Sequence, residues 1–209
     1  MIAPYVGMSL YTWTAIIAVV LAGFSVGHWW GGRIAARPTD RALAAAGWTM
    51  VGAALTTGAA ALVLRTVAGP VLQTVTEPLS AITLLATLAF FLPSLFAGVP
   101  APILAVAAMR GRAESERALG AMFAAGAVGA IAGTLLAGFL FVSWLGSAAT
   151  LAAMTATYAL AAALLFRLAG VLRGAAGVAA AGALAALGLG VGALALPPVC
   201  EPPPCRQLE

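Results

Sequence analysis

Residues 9–33 read SLYTWTAIIAVVLAGFSVGHWWGGR, and the only formal charge in this run is the last residue, Arg33. An α-helix rises 1.5 Å per residue, so about 20 apolar residues cross the roughly 30 Å hydrocarbon core of a bilayer. Aromatic side chains stand near both ends of the run: Tyr11, Trp13, Trp29 and Trp30. Aromatic belts of this kind form at the two membrane interfaces. The segment is therefore predicted to be a transmembrane helix.

The rest of the chain has the same apolar character. Of its 209 residues, 63% are hydrophobic and 8% are charged, and the mean hydropathy is +1.08. A soluble domain carries about 25% charged residues, so this composition excludes one. Its abundant Ala, Leu, Gly and Val favour closely packed helices over a β-barrel. The net charge of +4 comes from scattered arginines, which excludes nucleic acid as a partner and leaves the lipid bilayer.

Six apolar runs are long enough to cross a membrane as helices. They cover residues 9–33, 41–67, 79–110, 116–146, 147–168 and 171–196. We therefore predict an all-α fold, a polytopic transmembrane bundle of about six spans, with residues 1–196 as its single domain. Residues 197–209 contain five prolines and form a Pro-rich tail that cannot be helical throughout.

The distribution of arginine predicts the orientation of this bundle. Eight arginines fall in three alternate connections: Arg33, Arg37, Arg41, Arg110, Arg112, Arg117, Arg167 and Arg173. Only Arg65 and Arg206 fall on the opposite side. Because cytoplasmic loops carry the excess of basic residues, the three connections are expected in the cytoplasm and both termini outside it.

Two stripes of glycine predict close helix packing. Gly23, Gly27 and Gly31 recur at four-residue intervals in the first span, and the fourth span carries a second set: Gly126, Gly129, Gly133 and Gly138. Such stripes let two backbones approach, giving dispersion contacts where no hydrophobic drive acts between helices. We expect both stripes to be buried within the bundle; the alternative is an interface with another subunit.

The third span contains Pro93, Gly98, Pro100 and Pro102. Each proline removes a backbone hydrogen bond, so this helix is expected to kink or break between Leu92 and Ile103. Broken helices form substrate sites in transporters, which makes these four residues a candidate site, although a purely structural kink is the alternative.

Groups that could carry chemistry are scarce. His28 is the single histidine, so neither a metal site nor a haem site is predicted, and no cofactor is expected. The six acids all fall in connections, at helix ends or in the tail: Asp40, Glu77, Glu114, Glu116, Glu201 and Glu209. A proton relay would need a carboxylate within the membrane. Thr56, Thr57, Thr134 and Thr155 can line a cavity or bond back to their own helices.

Several motifs resemble a known family. They are Ala3-Pro4-Tyr5-Val6-Gly7, Ser9-Leu10-Tyr11-Thr12-Trp13-Thr14, Gly31-Gly32-Arg33, Phe91-Leu92-Pro93, Gly120, Gly129-Ala130-Ile131-Ala132-Gly133-Thr134 and Gly138-Phe139. Together they resemble the membrane region of bacterial membrane-bound spermidine-synthase-like proteins, often described as major facilitator/spermidine synthase fusions. The resemblance implies half of a major facilitator transporter in a bacterial cytoplasmic (inner) membrane, with the first five spans standing for its second to sixth helices.

The chain departs from that family in three places. The family has a further hydrophobic helix before Ala3-Pro4-Tyr5, and its fused members continue into a soluble aminopropyltransferase-like domain beyond the position of Glu209. No synthase residue can therefore be carried over. In the loop after the first span, Ala36 replaces the acid of the facilitator Asp-Arg pair, although Arg37 matches.

These observations support three functional hypotheses. The first is a non-catalytic integral membrane module, an anchor or subunit that packs against another membrane protein or forms a homo-oligomer. The alternative is a half-transporter for a polyamine or another small solute, working as an oligomer. An enzyme ranks last, because no set of residues meets the geometric needs of a reaction.

The tail provides a direct test of the predicted orientation. Cys200 and Cys205 flank Glu-Pro-Pro-Pro, and outside the cytoplasm they are expected to form a disulfide, which would contribute about 2 kcal/mol by closing a short loop. The alternative is two reduced thiols. A membrane-impermeant maleimide should label intact cells only after reduction. Labelling that appears only after lysis would contradict the orientation.

Overall fold

The computed structural model describes residues 6–7, 9–110 and 115–171, and the regular elements of this part of the chain are helical. The α-helices are α1 (Leu10–Ala35), α2 (Thr39–Thr74), α3 (Pro78–Ala86), α4 (Leu92–Gly98), α5 (Pro100–Met109), α6 (Ser115–Leu135) and α7 (Gly146–Leu168). Two π-helical segments, Thr87–Phe91 and Leu136–Leu145, connect α3 to α4 and α6 to α7. The all-α prediction is confirmed for this part of the chain.

Within the described residues, five helical segments are long and apolar enough to cross a membrane. They are Leu10–Ala35, Thr39–Thr74, Pro78–Met109, Glu116–Phe141 and Ala149–Leu168. We call them the first to fifth spans; the third combines α3, a π segment, α4 and α5. The predicted sixth span lies outside the described residues from residue 172 onward, as do the tail, Cys200 and Cys205.

Helix α2 is longer than the sequence predicts. The expected end at Val67 is wrong, because the helix continues through Pro70 to Thr74. From Arg41 to Arg65 the helix rises about 36 Å, enough for the hydrocarbon core, so a bilayer with its interfaces at these two arginines would leave Pro70 outside the core. There, water can satisfy the carbonyl that loses its N–H donor to proline. The Thr74 hydroxyl donates to the Pro70 carbonyl at 2.9 Å and closes this helix end.

The third span changes its hydrogen bonding just before two of its prolines. The π segment Thr87–Phe91 leads directly into Leu92-Pro93. Before Pro100, the Val99 N–H donates to the Phe96 carbonyl three residues back, at 3.4 Å. Leu92 and Val99 both keep right-handed helical dihedrals. The prolines therefore change the pattern of hydrogen bonds in this span without unwinding its backbone.

The spans pack in a fixed order. The third span lies between α1 and α2, and α2 packs in turn on α7. The α2–α7 contact centres on Phe166, whose side chain is 1% exposed. Its ring contacts Gly47 and forms a T-shaped pair with the ring of Trp48, with the centroids 5.3 Å apart. Alanine and glycine on α2 thus give a large aromatic side chain the room to enter the interface.

Candidate functional site

The first glycine stripe lies against the proline-containing span. Gly23, Gly27 and Gly31 are all buried along one face of α1. A Cβ added to Gly23 would lie 2.8 Å from the Phe91 carbonyl oxygen, and one added to Gly27 would overlap the Leu95 carbonyl oxygen. We call this contact the glycine–proline seam, formed by Gly23, Gly27 and Gly31 of α1 and residues 91–102 of the third span.

Three carbonyl oxygens of the third span follow the glycine stripe in register. Those of Phe91, Leu95 and Val99 are spaced four residues apart, and each lies where a Cβ would project from a glycine of α1. Only a Cα hydrogen fits in that space. Such hydrogens make weak Cα–H···O contacts that recur at helix–helix interfaces. These carbonyls are therefore engaged by a neighbouring helix.

The candidate broken-helix residues lie within this seam. Gly98 and Pro100 are buried, while Pro93 and Pro102 are half-buried. Gly98 faces the Phe24 backbone oxygen, 3.1 Å from where its Cβ would be, and the Pro102 Cγ lies 2.7 Å from the Cβ position of Gly31. The structure brings the predicted site and the predicted packing stripe together. The absence of side chains at Gly27, which lies against Leu95 and Gly98, and at Gly98, which lies against Phe24, permits this close approach.

At one end of the seam, Arg110 joins the first and third spans. Its two terminal guanidinium nitrogens donate to the carbonyls of Ala35 at 2.7 Å and Arg37 at 2.8 Å, and one of them also reaches the Thr39 hydroxyl at 3.1 Å. A helix ends with unsatisfied carbonyls and a partial negative charge, both of which a cation stabilises. Arg110 thus caps α1 and fixes the loop that follows it.

Aromatic rings surround the same end of the bundle. The Arg33 guanidinium lies 3.5 Å from the centre of the exposed Trp29 ring, within the range of a cation–π contact. The Trp30 and Phe96 rings lie 6.5 Å apart, between α1 and α4. An exposed tryptophan and a basic head group at a helix end are typical of a membrane interface.

Among the described residues, the remaining polar groups do not come together in a reactive or metal-binding site. His28 is exposed, with the Phe24 ring 6.1 Å away. Within the described residues, no group of three His, Cys, Asp or Glu could hold a metal ion. Thr56, Thr134 and Thr155 donate to carbonyls of their own helices, at 2.7, 2.8 and 2.9 Å.

Thr57 is an exception among these threonines, because its buried hydroxyl has no hydrogen-bond partner within the described part of the chain. An unsatisfied buried hydroxyl costs about 1–3 kcal/mol.

The described residues do not cover the second glycine stripe. Gly126, Gly129, Gly133 and Gly138 are exposed, and the described residues bury no part of the apolar stretch of the fourth span. At Gly126, Gly129 and Gly133 an added Cβ would meet nothing within 4 Å. Within the described residues, α6 packs on neither α1, α2 nor α7 over any extended length, so burial of this stripe stays a prediction. A glycine stripe shows that another helix can approach closely, but it does not identify that helix.

Two features escaped the sequence analysis. One is the Arg110 contact, whose signal is an arginine at the end of the third span, on the side where the first span also ends. The other is a groove of about 330 Å³ between the fourth and fifth spans. It is lined by Gly133, Ala137, Phe141, Thr150, Ala153, Met154, Thr157 and Tyr158. Apart from the threonines and the tyrosine, its walls are apolar.

Comparison with known proteins adds no relative. No protein-family model matches this chain, no curated protein resembles it significantly, and no solved structure matches its fold.

The seam makes a sharp prediction for Gly27→Ala. The new methyl group would overlap the Leu95 carbonyl and force α1 away from α4, so the free energy of unfolding should fall by about 1–3 kcal/mol. Gly32→Ala is the matched control, because nothing lies within 4 Å of its Cβ position. The measurement is SDS-induced unfolding in mixed micelles, followed by circular dichroism. Equal stability of the two variants would refute the packing of the seam.

Proposed function

We propose that this chain is a non-catalytic integral membrane module, an anchor or subunit of a larger membrane assembly. The observation that carries the proposal is the closed glycine–proline seam. The backbone oxygens at Phe91, Leu95 and Val99, which would be the natural ligands for a polar solute, lie against α1. Because the seam is filled by helix packing, it leaves no room for a solute. Such a module would act through its outer surface, by holding other components at the membrane.

The polar groups of the spans support the same proposal. Buried hydroxyls such as those of Thr49 and Thr155 donate to their own helices. No described acid lies in the membrane-spanning part of a helix: Asp40 and Glu116 stand in first turns, and Glu77 in a connection. An intramembrane ionisable residue is the usual sign of an ion or substrate pathway.

The proposed location is a bacterial cytoplasmic membrane with both termini outside the cytoplasm. Arg33, Arg41, Arg110 and Arg167 stand at helix ends on the side proposed to be cytoplasmic. The Arg110 contacts with the α1–α2 loop support a common side for the first and third spans. The likeness to the membrane part of spermidine-synthase-like proteins adds a class of partner, a soluble domain held at the membrane.

Native electrophoresis tests the proposal. After gentle detergent extraction from its own membranes, the protein should migrate in a complex well above its 20.7 kDa monomer. Gly27→Ala should weaken the complex because it disturbs the seam, whereas Gly32→Ala should leave it intact. A lone monomer, from membranes in which the protein is expressed at its natural level, would contradict the proposal.

A half-transporter for a polyamine or another small solute is the second candidate. The observation in its favour is the irregular hydrogen bonding of the third span, since π-helical segments occur often at functional sites. Proteoliposomes should then take up labelled spermidine, and Pro100→Ala should slow uptake by restoring a regular helix. The matched control is Pro70→Ala, which changes an exposed proline outside the seam. Uptake no faster than in protein-free vesicles would eliminate this candidate.

A further inference from the structure

The fourth span is unlike the other four. Its apolar stretch has no buried residue, whereas half of the corresponding stretch in α2 is buried within the described part of the chain. Helix α6 contacts α5, and the fourth span reaches α7 through the π segment Leu136–Leu145. The two spans therefore meet at the π segment, and α6 diverges from α7 away from it.

The space between α6 and α7 is a groove lined by residues of both helices. Gly133 lines it from α6, while Met154, Thr157 and Tyr158 line it from α7. Gly129 and Gly126 lie about one and two turns before Gly133, on the same face of α6. Nothing within the described residues fills the space beside these three glycines. The groove thus offers a helix the same close approach that the first stripe gives to the third span.

Helix α7 ends in a way that turns the chain back. The Val171 N–H donates to the Phe166 carbonyl at 3.0 Å, and the Gly170 N–H donates to the Arg167 carbonyl at 3.2 Å. Gly170 has a φ of 75°. Together these features are the Schellman motif, which stops a helix and redirects the chain. The π segment joins the end of α6 to the start of α7, so this turn lies at the end of α7 that is remote from the π segment, as the start of α6 is on its own helix.

We propose that residues 172–196 form a sixth helix that occupies this groove, with its small residues against Gly126, Gly129 and Gly133. The segment has 25 residues, of which 16 are glycine or alanine, and a helix of that length rises about 37 Å. That is enough to follow α6 across the hydrocarbon core. Its single charge, Arg173, stands at the start, where it reaches the interface.

Residues 172–196 are favoured over a second copy of the chain as the occupant of the groove, because they are covalently connected to α7. The Schellman turn ends at Val171, directly before residue 172, and short links place consecutive helices side by side and antiparallel. A sixth helix beside α7 then runs parallel to α6. Its effective concentration at the groove is in the millimolar range, far above that of a second copy diffusing in the bilayer. This proposal is independent of the proposed function.

Disulfide trapping tests the proposal in the full-length protein, in native membranes, with Cys200→Ser and Cys205→Ser as the background. Gly129 is 14 residues into α6, level with residue 186 in a parallel helix that starts at residue 172. Gly129→Cys is combined in turn with a cysteine at each position from 183 to 186, which samples one helical turn. The matched control is Ile131→Cys, on the opposite face of α6 and 63% exposed.

Oxidation should give an intramolecular crosslink for at least one Gly129→Cys pair and for no Ile131→Cys pair. A covalent dimer from Gly129→Cys alone would show that a second copy lies on this face, and would overturn the proposal. So would the absence of any crosslink across the whole turn, or equal crosslinking from both faces.

A second measurement does not depend on crosslinking geometry. A nitroxide spin label on Gly129→Cys should collide with dissolved oxygen several-fold less often than one on Ile131→Cys, because a covering helix excludes lipid and oxygen from the groove. Equal collision rates at the two positions would refute the proposal even where the cysteine pairs are unreactive.

Discussion

The fold depends on one constraint: inside a bilayer the hydrophobic effect does not drive helices together, and no water is present to satisfy backbone groups. Association must then come from close backbone approach, and the glycine–proline seam supplies it. Gly27 and Gly98 stand opposite each other, so α1 and α4 approach until carbonyl oxygens lie where side chains would otherwise be. Dispersion and Cα–H···O contacts, individually weak, accumulate along about two helical turns, from Gly23 to Gly31.

The same constraint explains why the prolines of the third span lie inside the bundle. A proline inside a lipid-exposed helix would leave a carbonyl without a donor, at a cost that lipid cannot reduce. In the third span, Pro100 is buried between α1 and α2, and the Phe96 carbonyl receives the Val99 N–H instead. Arg110 then caps the end of α1 from the far side of the seam. The central position of this span follows from the same need, since a proline-containing helix is best surrounded by protein.

The features that could be predicted from the sequence are those that depend on composition and on the spacing of apolar residues. Apolar length gave the all-helical class and the starts and ends of most spans, to within a few residues. It misplaced the end of α2, because Pro70 appears as a helix breaker unless the position of the interface is known. The position of Arg110 at a span end shows which side it stands on, but not its partners, since its contacts join residues more than 70 positions apart. Contacts of that kind depend on which spans become neighbours, and helical periodicity carries no such information.

The two glycine stripes show this limit most clearly. Both have glycines three to five residues apart, yet Gly27 is buried against a carbonyl while Gly129 stands open among the described residues. The difference lies in the partner: the third span offers Gly98 and a row of carbonyl oxygens at the matching spacing, and no neighbour of α6 in the described chain offers a comparable surface. A stripe lowers the cost of close approach for any helix that has a small face of its own. The second helix therefore decides whether a stripe is used, and for Gly27 that helix is the third span, whose Leu95 carbonyl and Gly98 lie against it.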